Sequence, residues 1–97
     1  MYYADLIIGW AKDRNLIEGS DLKSQFVKLM EEAGELANAI GKKNDIEFAD
    51  AIGDMFVVLT IMAAQNGMCM EDCIANAWEE IKDRKGKMLD GIFVKDA

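Results

Sequence analysis

The chain has no histidine and no proline, and it has only two cysteines, Cys69 and Cys73. Without imidazole, neither the Cys/His zinc patterns nor the Glu-x-x-His ligation of ferritin-like bundles can be assembled. The two thiols lie four positions apart at the start of a helix-like segment, outline no disulfide framework, and read as reduced and buried. With no proline, and few β-branched residues outside helix-like runs, the composition favours an all-α domain. Positive charge is scarce as well. Eleven bases face 18 acids, for a formal charge of −7, so neither a nucleic-acid polymer nor an anionic membrane is expected as a partner. The apolar run from Met55 to Ala64 falls well short of the about 20 residues a membrane span needs. The opening MYYADLIIGWAKDRN carries Asp5 inside its apolar part and has no basic leader, which predicts a soluble, cytoplasmic protein.

What is present is apolar residue in quantity, 52% of 97 residues, arranged with helical spacing in one domain, 1–97. Four helices are readable. The first spans Tyr2 to Arg14, with Tyr3, Leu6, Ile7 and Trp10 on one side and Asn15 as a stop. The second is capped by Ser20 or Asp21 and places Leu22, Phe26, Leu29, Ala33, Leu36 and Ile40 in alternating steps of four and three. Gly41 is the expected left-handed stop, followed by Lys42 and Lys43 where a helix C-terminus favours cations. The third helix follows after Asn44 and Asp45. A link this short makes antiparallel neighbours of the second and third helices.

Gln65, Asn66 and Gly67 close the third helix. The fourth runs from Met70 to Lys85, with acids in its first turn and bases in its last. Asp90-Gly91 between apolar pairs is a hairpin signal, so the expected architecture is a four-helix antiparallel bundle-like domain with a short C-terminal tail or hairpin. The third helix is apolar nearly all round from Met55 to Ala64, interrupted by Thr60, and four helices supply too little cover for it. Self-association as a homodimer or homotetramer is the expectation, with Val58 and Ile61 as positions where an introduced charge would dissociate or unfold the protein.

Six of the seven carboxylates in the 24 residues from Glu31 to Asp54 fall in two runs: Glu31, Glu32 and Glu35 in KLMEEAGELANAI, then Glu47, Asp50 and Asp54 in IEFADAIGDMFVVL. At about 100° per residue, Glu32 and Glu35 share a helix face, as do Asp50 and Asp54. Relative to the stripe of Leu29, Leu36 and Ile40, Glu32 lies nearest the apolar edge, Glu35 further round and Glu31 furthest out. Acids on helices are commonly solvated surface. Asp50 and Asp54 are harder to place there, because they are the sole charges from Ala49 to Ala64. Across an antiparallel pair the two clusters converge, and their repulsion requires a cation between them. Oxygen-only ligation suits magnesium, with manganese as the alternative.

The runs EEAGE and IGDMFVVL resemble the all-α nucleoside triphosphate pyrophosphohydrolases of the MazG-like group, whose pattern is E-E-x-x-E followed by E-x-x-D. Glu31, Glu32 and Glu35 fit the first half, and Asp54 is the final aspartate of the second; the resemblance covers Ser20 to Lys87. The ending IKDRKGKMLDGIFVK is similar to short, single-domain members. The family's second-half glutamate falls at Ala51. Asp50, four residues before Asp54, is the expected replacement, with Glu47 in reserve.

The resemblance implies magnesium-dependent cleavage of an NTP or dNTP between the α and β phosphates, releasing a monophosphate and pyrophosphate. It also implies metal ligation by Glu32, Glu35, Asp50 and Asp54, with Glu31, Glu32 or Glu35 activating water. Lys82, Arg84, Lys87 and Asn76 are phosphate-contact candidates, against the alternative of dipole complement and solvated surface. Trp10 and Trp78 are candidates for stacking on a base, although an aromatic on an amphipathic face is more often core. Lys28, one turn before Glu32, fits an intrahelical ion pair. A competing reading is a non-catalytic acidic helical oligomer that serves as a protein-interaction module.

Overall fold

Asp21 and Asn44 decide where the two long helices begin. In the computed structural model, which describes all residues from Met1 to Ala97, the Asp21 carboxylate accepts from Ser24 N–H at 2.7 Å and starts α2 (Leu22–Lys42). The Asn44 carbonyl accepts from Glu47 N–H at 3.0 Å and starts α3 (Asp45–Gln65). Each cap satisfies a backbone donor that the first helical turn leaves free. Only Lys43 and Asn44 separate the two helices, so they pack as an antiparallel hairpin along their lengths. The left-handed residue of the turn is Lys43, with φ 56°, and α2 runs through Gly41. The expected stop at Gly41 is corrected by two residues, because the turn has to fall directly before the residue that caps α3.

Helix α1 (Tyr2–Asp13) and helix α4 (Met70–Ile81) both pack on α3, which is therefore the hub of the fold. Ala4 and Ala11 bury the inner side of α1, Leu29, Glu32 and Ala39 that of α2, and Ala51, Val58, Thr60 and Ile61 that of α3. Four of these nine buried residues are alanines, which let the helix backbones approach closely. Thr60 is 1% exposed, and its hydroxyl donates to the Phe56 carbonyl at 2.7 Å, so no polar atom there is left without a partner.

The connection from α1 to α2 is tied down at its middle, where the Gln65 amide donates to the Leu16 and Ile17 carbonyls at 3.4 and 3.2 Å. Asn15 adopts φ 57°, and a side chain at Gly19 would run into the Asn15 carbonyl.

Val58 and Ile61 lie inside the single chain, so neither reports on an interface between copies; a charge at either acts on folding itself. The outward face of α3 is instead marked by Ile52 and Leu59, both exposed. Helix α4 ends at Ile81, four residues before the expected Lys85. The Lys85 carbonyl accepts from Asp96 N–H at 2.8 Å and belongs to the base of an antiparallel hairpin, β1 (Gly86–Leu89) and β2 (Ile92–Lys95). Asp90 and Gly91 form its turn with φ 50° and 79°, the positive pair that matches the twist of the strands. No helix is long and apolar enough to cross a membrane.

Candidate metal centre

Glu32 is the buried member of an otherwise open acidic cleft. It projects from α2 toward α3 and is 4% exposed. One of its oxygens, Oε1, takes the Lys28 ammonium at 3.2 Å, while Oε2 is buried with no partner at all. Glu35, one turn further along α2, and Asp54, facing them from α3, complete a set whose carboxylate oxygens lie within 4.8 Å of one another.

The charges act on one another as this crowding demands. Burial first, and then the Glu32 charge, hold the Asp54 carboxyl above the usual carboxylate range, with a further push from Asp50. The Glu32 charge does the same to Glu35. The Lys28 ammonium is stabilised in return, first by its hydrogen bond to Glu32 and then by that residue's charge. Three carboxylates aimed at one point, with a buried oxygen unpaired, is a donor set that fits a hard divalent cation such as magnesium or manganese.

Beyond the cluster the cleft opens into a cavity of about 320 Å³ lined by Glu35, Asn38, Lys42, Glu47, Asp50, Ala51 and Asp54. Asp50 is thus beside the three-carboxylate set but outside it. Glu47 lines the same cavity and pairs with Lys42 at 3.8 Å. Ala51 is 2% exposed at the cavity wall, so the position of the missing glutamate does face the site. The sequence marks Lys42 only as a cation at the helix C-terminus and does not mark Asn38; the signal for both is spacing, since they continue the Glu35 face of α2 toward the turn.

Glu31 points away from the cluster, is exposed, and pairs with Lys28 at 3.6 Å. Asn76, Lys82, Arg84 and Lys87 line neither cavity that borders Asp54, and Lys82 is engaged by Glu79 at 2.8 Å.

On the other side of Asp54 lies a second cavity, of about 390 Å³, walled by Tyr3, Leu6, Ile7, Trp10 and Val57. This apolar shelf is formed by α1 together with Asp54 and Val57 of α3. The Arg14 guanidinium sits 4.6 Å from the Trp10 ring centroid and donates to the Trp10 carbonyl at 3.1 Å, which braces the ring. Trp78, by contrast, is exposed on α4 and borders neither cavity.

A helical hairpin thus presents carboxylates from both of its arms to one point, an arrangement that could hold a divalent cation. The model of the MazG nucleotide pyrophosphohydrolase domain matches residues 21–89, and the chain belongs to that family. It is also 53% identical over 57 residues to an "Uncharacterized 18.2 kDa protein in rep-hol intergenic region" of Haemophilus phage HP1. That alignment covers 59% of this chain and 35% of the phage protein. No solved structure matches the chain.

Proposed function

We propose that the chain is a magnesium-dependent nucleotide pyrophosphohydrolase, cleaving an NTP or dNTP between the α and β phosphates to a monophosphate and pyrophosphate. The observation that carries this reading is that Asp54 belongs both to the carboxylate cluster and to the wall of the apolar aromatic shelf. A ligand spanning the two is anionic at one end and flat and apolar at the other, which is the chemistry of a nucleotide.

In this reading Glu32, Glu35 and Asp54 hold the cation, with Asp50 beside them. A divalent ion there supplies neutralisation of phosphate charge and acidification of an attacking water. Tyr3 and Trp10 offer ring faces to a base. Glu35, open to the cleft beside Glu32 and Asp54, is placed either to complete the cation's shell or to orient the attacking water. Lys42 and Asn38 take the place first assigned to Lys82, Arg84, Lys87 and Asn76 for phosphate contacts made within one chain. Self-association as a homodimer or homotetramer and a cytoplasmic location belong to the same reading.

The test is a panel of canonical and modified nucleotides with magnesium, with monophosphate, pyrophosphate and orthophosphate separated. Pyrophosphate as co-product is expected. Orthophosphate alone, or no turnover across the panel, would sink the assignment. Asp50→Asn and Glu47→Gln in the same assay decide which acid stands in for the glutamate absent at Ala51: the expected loss follows Asp50, and a dead Glu47→Gln beside an active Asp50→Asn reverses the choice.

A further inference from the structure

From Ile74 to Ala97 every residue is exposed. This stretch comprises most of α4 and the whole β-hairpin, and the hairpin has no substantial packing against any helix. It is not a polar tail. Directly paired residues share a face of a sheet, so Leu89, Ile92 and Val94 lie with Lys87 on one side of the hairpin, and Met88 and Phe93 with Lys95 on the other. Each face is thus apolar with one lysine. An isolated two-stranded hairpin is at best marginal in water, and one with two apolar faces and two free edges needs cover on more than one side.

The dimensions agree. The radius of gyration is 15.9 Å, against about 12.5 Å for a compact chain of this length. The accessible surface is 7354 Å², whereas a folded monomer of 10.8 kDa exposes about 5,500 Å². The excess, roughly 1,800 Å², is more than twice the about 800 Å² each partner buries in a standard interface.

Charge indicates what supplies the cover. Residues 82–95 carry five bases against two acids, while residues 1–81 carry six bases against fifteen acids. The stretch from Lys82 to Lys95 is basic, but over the whole arm from Ile74 to Ala97 five bases meet five acids. A neutral, apolar arm with a basic hairpin base thus sits on a body, residues 1–73, of six bases and thirteen acids.

We propose that the segment from Ile74 to Ala97 is an exchange arm that docks on the acidic α2–α3 face of a second copy of this chain. Docking brings the lysines of the hairpin and its base to the partner's carboxylate-lined cleft, so that each site receives cations its own chain does not bring there. The inference rests on the self-association included in the functional reading, and it stands or falls independently of hydrolysis.

The test uses the full chain. A mixture of isotopically heavy and light protein is coupled with a zero-length carbodiimide, and the joined peptides are identified by mass spectrometry. Heavy–light peptides linking Lys85, Lys87 or Lys95 to acids between residues 31 and 54 are expected. Heavy–light links confined to arm with arm, or to body with body, overturn the docking site. In parallel, Lys85→Glu/Lys87→Glu leaves the apolar faces intact and should raise the dimer dissociation constant by at least about tenfold in sedimentation equilibrium. An oligomer unchanged by that pair of substitutions overturns the arm while leaving self-association standing. A wild-type monomer overturns both.

Discussion

The α2–α3 hairpin and the segment from Ile74 to Ala97 use the same kind of residue to opposite ends. In the hairpin both helices have side-chain caps, alanines at 39 and 51 bring the backbones together, and Leu29, Val58 and Ile61 are enclosed. In the arm, α4 begins at Cys69 without a side-chain cap, and Ile74, Trp78, Ile92 and Phe93 are all exposed. Stability of the first is a property of the chain. In the second, nothing within the same chain encloses the apolar side chains, so under the exchange-arm proposal its stability would depend on concentration.

The strongest way to break this contrast is a matched pair of core and arm substitutions. Val58→Asp places an unpaired charge in the enclosed core and should cost roughly 3–5 kcal/mol in thermal or denaturant unfolding. Ile92→Ser, measured in dilute protein, should stay within about 0.5 kcal/mol of wild type. Equal costs would mean that the arm is part of the monomer's own core.

The next effect separates the inward acids from the outward one. Glu32→Gln or Asp54→Asn should lower pyrophosphohydrolase turnover on the order of 10²-fold with the helical circular dichroism retained. Glu31→Gln, at a position directed to solvent, should change it by no more than about threefold, roughly 0.7 kcal/mol. A comparable collapse in Glu31→Gln would put the outward acid in the chemistry.

Smaller still is the cap contrast. Asn44→Ala removes the acceptor for Glu47 N–H and should cost about 1 kcal/mol. Cys69→Ala, at a cap position whose side chain makes no such bond, should leave the unfolding midpoint where it was.

The smallest effect is the pH dependence of the metal-free protein. The folded-state pKa values of Asp54 and Glu35 are raised, so between the ordinary and the raised values the folded state binds more protons than the unfolded one. Their contribution to stability is greatest below the ordinary carboxylate pKa and is lost as pH rises through the raised values. Asp21, lowered chiefly by its hydrogen bond from the Ser24 backbone, works in the opposite direction, so the comparison is made by difference. Wild type minus Asp54→Asn, followed as melting temperature against pH in chelator, should fall as weakly acidic buffer is taken to neutral. Millimolar magnesium should flatten the difference, and a difference that climbs with pH would reverse the sign argued here.

Periodicity made the four helices legible, and Asp90-Gly91 made the turn legible, because both signals are local. The helical wheel also ordered Glu32, Glu35 and Glu31 by depth, since angle from the apolar stripe is a property of the sequence. What faces the stripe is not. Nothing in Ile74, Trp78 or Ile81 distinguishes a face packed on the chain's own body from one left for another copy, and Val58 and Ile61 looked as available for an interface as Ile52 and Leu59. Left-handed backbone was assigned to Gly41 on conformational preference, whereas the two-residue link set it at Lys43. The shelf beside Asp54 was hidden for the same reason as the arm: Tyr3 and Trp10 are separated from Asp54 by the whole of α2, and tertiary packing alone joins them.

With a cation in the proposed site, the unpartnered oxygen of Glu32 would tie the lifetime of the polypeptide to its inorganic surroundings. A buried acceptor without a partner works against the folded state, and a cation bound to the native fold offsets that by mass action. If the proposed site holds its cation, a chain starved of divalent ions should open more often and be cut by proteases more readily, and metal supply would then govern how much of the protein persists as well as how fast it works.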